Sequence, residues 1–178
     1  MHQSVLSFWF HEIKPDQWWK VDPDLDRLIR ERFGELHLRA ARVELFEWRQ
    51  DPRGRLAEVI VLDQFSRNMY RDDRRAFESD ALALALAQEA VAAKADFALS
   101  KEERAFLYMP YMHSESARIH AVAAELFREG TPSHNYDFEL RHKAIIDRFG
   151  RYPHRNAVLG RESTSEELSF LMEPGSSF

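Results

Sequence analysis

Prolines at positions 15, 23, 52, 110, 132, 153 and 174 cut the chain into stretches of helix length, and nothing between them reads as a strand. Proline removes a backbone donor and starts or stops helices, so its spacing limits where helices can run. No segment alternates β-branched residues between hairpin turns. The stretch from Ala76 to Ala95 has no breaker and is rich in Ala and Leu. Its Leu-Ala alternation imitates a strand period, but alanine is the best helix former and a poor strand former. Asp22-Pro23 has the form of an N-cap followed by a first helical residue. Ser100 to Glu103 and Thr164 to Glu167 are capping boxes, and Gly130 before Thr131-Pro132 is a helix stop. These signals predict helices over 4–10, 23–33, 35–48, 55–66, 76–94, 101–109, 114–129, 134–149, 154–160 and 164–172. The expectation is an all-α fold of about nine or ten helices. Short connections favour stacked antiparallel hairpins. One domain over 1–178 is expected, with the tail 174–178 frayed.

Composition narrows the function classes. The chain has no cysteine, which excludes disulfides, thiolate metal sites and cysteine nucleophiles. A net charge of -5 argues against a nucleic-acid partner. The longest apolar run, Ala81 to Ala87, is far short of the roughly 20 residues a membrane helix needs. The start, Met1-His2-Gln3-Ser4, lacks a basic leader and a long apolar core, so a cytoplasmic protein is expected. No two histidines have metal spacing on one helix, and P-loop, dinucleotide and nucleophile-elbow motifs are absent. No metal and no cofactor are therefore expected. The aromatic start, Phe8-Trp9-Phe10 with Trp18-Trp19, reads as a core anchor for a terminal helix.

Three segments break ordinary helix patterning. Around Ala57 to Phe65 the helix is apolar on nearly every side, which marks a central helix. Asp63 points where Val59 and Ile60 point, and Arg67 at i+4 is its expected partner. With Asn68 and Arg71 close behind, the segment is either a satisfied network orienting a helix end or part of a site. In Met109 to Glu115, Pro110 is expected to end one helix and Ser114 to cap the next, with Glu115 in its first turn. That account leaves His113 unexplained. In the third segment His142 falls on the apolar stripe of Phe138, Ile145 and Phe149, as a hydrogen-bonded core residue or a ligand. From Arg141 to Arg161 there are six Lys/Arg and one Asp, a local net of +5 on an acidic chain. The chain has 20 arginines and 5 lysines, and arginine suits planar capture of carboxylate or phosphate.

Together these stretches resemble the bacterial family catalogued as domain of unknown function 924, over nearly the whole chain. The most specific pieces are Leu62-Asp63-Gln64-Phe65-Ser66-Arg67-Asn68, Met109-Pro110-Tyr111-Met112-His113-Ser114-Glu115, and Phe149-Gly150-Arg151-Tyr152-Pro153-His154-Arg155-Asn156 running on to Leu159-Gly160-Arg161-Glu162-Ser163-Thr164. Ser66 stands where the family often has proline, and Met112 where an acidic residue is common. The resemblance implies a tetratricopeptide-like right-handed stack of helices and no established activity, substrate or cofactor.

Function is then read from the residues in three ways, with a binding module first because the charge pattern supports it directly. A binding module would line a groove with Arg67, Asn68, Arg71, Arg148, Arg151, Tyr152, His154, Arg155, Asn156 and Arg161 for a small anionic molecule or an acidic peptide end. A hydrolase-like enzyme would use His113 or His142 as general base, with Asp63 or Glu115 orienting it. A purely structural network would leave no cleft. No nucleic-acid or membrane partner is expected, and a homodimer stays open.

Overall fold

The computed structural model describes residues 2–177, so Met1 and Phe178, the last residue of the tail expected to fray, lie outside it. Among the described residues there is no strand, and no helix is long and apolar enough to cross a membrane. Helix α1 (His2–Ser7) runs into a π-helical turn (Phe8–Glu12), followed by α2 (Pro23–Ala41) and α3 (Pro52–Ile60). A second π-helical turn (Val61–Phe65) carries α3 into α4 (Ser66–Met69). Then come α5 (Asp80–Ala92), α6 (Lys101–Met112), α7 (Ala117–Gly130), α8 (Ser133–Phe149), α9 (Asn156–Leu159) and α10 (Ser165–Leu171).

The starts are set by the caps expected of them. Asp22 Oδ1 accepts from the amides of Asp24 and Leu25 at 3.1 and 3.2 Å, and Ser100 and Thr164 both close reciprocal capping boxes. Several boundaries differ from expectation. Gly34 does not divide α2, because a lone glycine costs only about 1 kcal/mol and the buried face continues through Phe33, His37 and Ala40. Pro110 does not end α6: residues 105–112 are all buried, and their packing offsets the missing hydrogen bond. Ser114 caps nothing and Glu115 is not in a first turn; α7 begins at Ala117, after an extended Ser116. Gly130 is the last helical residue, and its want of a side chain has a packing reason. A Cβ there would lie 2.9 Å from the Tyr108 ring. Phe138 is exposed, so the apolar stripe of α8 is narrower than it reads. In the tail, buried Ser176 donates to Leu171 O at 3.2 Å.

The core is built round α3. Residues 56–66 are buried without a break, against α1, α5 and α6, while the π-helical turn packs on α2. Phe8, Trp9, Phe33 and Phe65 interlock there, centroids 4.9–6.1 Å apart, as expected for Phe8 and Trp9, whereas Trp19, read as part of the same anchor, is exposed. Ala83, Ala87 and Ala90 face inward from α5, and side chains that small let it approach α3 closely. Beyond this core, α6 packs on α7 and α7 on α8. The chain between α8 and α10 then folds back over the C-terminal end of α6, where the polar segments meet.

Candidate functional site

Asp63 lies in the second π-helical turn, inside the most buried helix of the molecule. Such turns recur at functional sites because the extra residue redirects a side chain that a regular helix would point elsewhere. The carboxylate is fully buried and fully engaged. Its Oδ1 lies 2.8 Å from His113 Nδ1 and 3.2 Å from Arg67 Nη1, and Gln64 Nε2 donates to Oδ2 at 2.6 Å. The i+4 partner read from the sequence is therefore present. Arg67 also forks onto Asp80, the first residue of α5, at 2.9 and 3.0 Å.

His113 closes α6 and faces this carboxylate across the packed helices. Among the described residues its Nε2 has no hydrogen-bond partner, and it is not sealed from solvent; the side chain is 14% exposed. Arg155 approaches from the returning segment, its guanidinium carbon over the rings of Phe77 and Tyr152 at 4.6 Å from each centroid. It donates to Asp80 Oδ2 at 3.3 Å and to the His113 carbonyl at 3.1 Å. Beside it Arg161 grips Glu115 with two bonds of 2.6 and 2.9 Å, and Glu115 also accepts from the Tyr152 amide at 2.7 Å. Asn156 accepts from Arg161 Nε at 3.0 Å, and the His154 ring lies tilted against that of Tyr152, centroids 5.5 Å apart.

The electrostatics follow from burial and these pairs. Burial opposes ionisation of Asp63, but Arg67 and His113 together hold its carboxyl below the usual range. Burial, then Arg67, lowers the proton affinity of His113 against the pull of Asp63. The result is a neutral imidazole with hydrogen on Nδ1, toward the carboxylate, and a lone pair on Nε2. His142 donates from Nδ1 to Phe138 O at 2.8 Å, and burial brings its pKa down to about 3. His154, half-buried and next to Arg155, is brought down to about 4 by desolvation and that arginine.

Not every predicted residue joins the cluster. Asp63, Arg67, His113, Glu115, Tyr152, His154, Arg155, Asn156 and Arg161 do, and His142 touches it through ring contacts with His113 and Tyr152 at 6.5 and 5.8 Å. Asn68 and Arg71 turn instead to Asp26 of α2, at 2.8 Å each. Arg151 pairs with Glu167, and Arg148 with Glu166 on the surface. The cationic strip from Arg141 to Arg161 is thus not a bare positive surface. Lys143, Arg148, Arg151, Arg155 and Arg161 each reach a carboxylate, and Arg141 lies over the Phe138 ring. Most of the excess read along the sequence is offset once Asp80, Glu115, Glu166 and Glu167 fold onto it.

Two participants escape sequence reading. Asp80 looks like an ordinary first-turn acid. Glu139 looks like a solvated one, yet it is fully buried, with Oε1 at 2.8 Å from Nδ1 of equally buried His120. The spacing of Glu139 and His142, three apart and so on one helix face, is the signal that could have found it. No group of three or more His, Asp or Glu among the described residues is placed to hold a metal ion. A concavity of about 300 Å³ lies elsewhere, lined by Ser4, Arg32, Phe33, Glu35, Leu36 and Arg39.

Residues 5–175 match the family described as "Bacterial protein of unknown function (DUF924)". The chain is also similar to a solved structure, that of the protein of unknown function ATU0120 from Agrobacterium tumefaciens. The two share 34% identity over 96% of each chain, with a TM-score of 0.91. No curated protein matches the chain.

Proposed function

This chain belongs to the bacterial family of unknown function DUF924, and we propose that it is a hydrolase-like enzyme in which His113 is the general base. The observation that carries this is the 2.8 Å contact of His113 Nδ1 with buried Asp63, which leaves Nε2 as the open, basic nitrogen. Asp63 is the positioning residue: it fixes the tautomer and steadies the charge the ring acquires on taking a proton. In the reaction Nε2 takes a proton from water as the water oxygen bonds to an ester carbon. The ester C–O bond breaks, and His113 returns the proton to the departing alkoxide. Arg67, which shares Asp63 with His113, is the cation assigned to the developing charge. Three of its donors go to Asp63 O and the two oxygens of Asp80, and others remain.

The charge balance favours an uncharged ester over a phosphate monoester. Arg67, Arg155 and Arg161 stand against Asp63, Asp80 and Glu115, and the histidines beside them are neutral. A dianion would have to compete with those carboxylates. The test is a panel of nitrophenyl acetate, butyrate and phosphate assayed with wild type and His113→Ala. Hydrolysis of the carboxylic esters that falls about 10²–10⁴-fold in the variant is expected. Equal rates in the two proteins overturn the reading.

Binding without turnover is a second reading, supported by one observation: Nε of buried Arg155 has no acceptor among the described residues. It predicts that acetate or inorganic phosphate gives a calorimetric signal that Arg155→Lys abolishes. Absence of heat with the wild type ends it.

A further inference from the structure

We propose that His120, together with Tyr152 and Arg155, is a positioning residue for His113, holding the three successive carbonyls of the backbone that aims the imidazole. This rests on the general-base reading of His113. The last carbonyls of a helix have no helical partner. At the end of α6 the carbonyl of Met112, and those of the two residues that follow the helix, are taken by side chains from later in the chain. The Tyr152 hydroxyl donates to Met112 O, Arg155 Nη2 to His113 O at 3.1 Å, and His120 Nε2 to Ser114 O at 2.8 Å. The hydroxyl oxygen of Tyr152 also lies 3.2 Å from His120 Nε2, which ties two of the three holders together.

The grip sits where the backbone has least support of its own. Pro110 has already removed one helical hydrogen bond, and residues 113–116 belong to no helix. Without an external hold the ring could drift from Asp63, and a misplacement of about 1 Å is enough to lose an aligned catalytic contact.

The protons on His120 can be placed from its partners. Nε2 faces a carbonyl, which only accepts, so it carries hydrogen; Nδ1 and Glu139 Oε1, 2.8 Å apart, share one more. Burial raises the pKa of Glu139, which favours keeping that proton between the two. Both side chains are fully buried, so neither can meet a substrate. Their effect on chemistry has to pass through the backbone they hold.

The experiment reads the His113 tautomer directly, in nitrogen-15-labelled full-length protein, from two-bond proton–nitrogen imidazole spectra. Wild type is expected to show His113 with hydrogen on Nδ1. Tyr152→Phe deletes one hydroxyl and keeps the ring. The double variant His120→Leu/Glu139→Leu deletes the donor without leaving a buried acid. Each is expected to lower the ratio of Nδ1–H to Nε2–H tautomer at His113 by about tenfold, the weight of one hydrogen bond. His120→Gln, which keeps an amide donor toward Ser114, should fall between them and wild type. His37, held by Ser66 at 2.7 Å, is the internal standard and should not change. Folded variants with the wild-type His113 signature overturn the proposal, and Tyr152→Phe decides alone if the double variant does not fold. A wild type with hydrogen on Nε2 overturns both this proposal and the general-base reading. A wild type with the expected tautomer but no ester hydrolysis overturns only the latter, because the readout needs no turnover.

Discussion

Two histidine–carboxylate pairs lie in this fold, on histidines at the end of α6 and in α7, and they have the same contact: Nδ1 to a carboxylate oxygen at 2.8 Å. Both carboxylates are fully buried, but their other partners differ. Asp63 is flanked by Arg67 and Gln64, and its carboxyl is held below the ordinary range. Glu139 has His120 on one oxygen, no partner on the other, and a carboxyl that burial pushes up. On the histidine side, His113 Nε2 has no hydrogen-bond partner among the described residues and its side chain is 14% exposed, while His120 gives its Nε2 to a backbone carbonyl. The pair itself therefore does not define a function. A neighbouring arginine and an open second nitrogen separate the pair that can move a proton from the pair that can only hold structure.

The sharpest way to break this comparison is to remove each histidine and measure two quantities. His113→Ala should lower ester hydrolysis about 10²–10⁴-fold. Its urea unfolding free energy should move by no more than about 1 kcal/mol, since Arg67 still compensates Asp63. His120→Ala should do the reverse in emphasis, lowering the unfolding free energy by about 3–5 kcal/mol because Glu139 is left buried and alone. If the two variants show the same balance of lost activity and lost stability, the distinction between the pairs is wrong.

Stability against pH sharpens it further, because the two carboxyls are displaced in opposite directions. The folded pKa of Asp63 lies below its unfolded value of about 3.9, so its contribution is complete above that pH and lost as pH falls through the folded value. For Glu139 the folded pKa lies above an unfolded value of about 4.3, so its contribution is complete below that pH and lost as pH rises through the folded value. Relative to Asp63→Asn, wild type should lose stability only in acid. Relative to Glu139→Gln, whose amide can donate to His120 Nδ1 as the protonated acid does, wild type should lose stability as pH rises toward neutral. Chemical denaturation at several pH values measures both, and slopes of the same sign contradict the assignment.

How far the sequence reveals all this depends on distance along the chain. The caps at Asp22, Ser100 and Thr164 and the alanine face of α5 are local, and they are legible. So is Arg67, four residues from Asp63. Pro110 misleads because its local preference to stop a helix is outweighed by packing on both sides of it. The arginines of the returning segment mislead for a different reason. Arg155 finds Asp80 at a separation of 75 residues and Arg161 finds Glu115 at 46, so their charge reads as surplus until the chain is folded. Glu139 and His120, 19 residues apart on neighbouring helices, are invisible for the same reason.

The smallest expected effect tests whether burial, rather than pairing as such, separates these sites. Arg148 and Glu166 make a contact of 2.9 Å, close to that of either buried pair, but their side chains are 46% and 63% exposed. In water each charge keeps most of its hydration whether or not the partner is there, and salt screens what remains. Arg148 also covers the rings of Phe149 and Phe170, so its single substitution would mix lost stacking with the lost ion pair. A double-mutant cycle of Arg148→Ala and Glu166→Ala removes that mixture and should give a coupling of about 0.2–1 kcal/mol that shrinks with added salt. Ester hydrolysis should be unchanged in both variants. A coupling as large as that lost in His120→Ala would mean that contact distance alone sets the strength of these pairs, and the case for the Asp63 environment would fall with it.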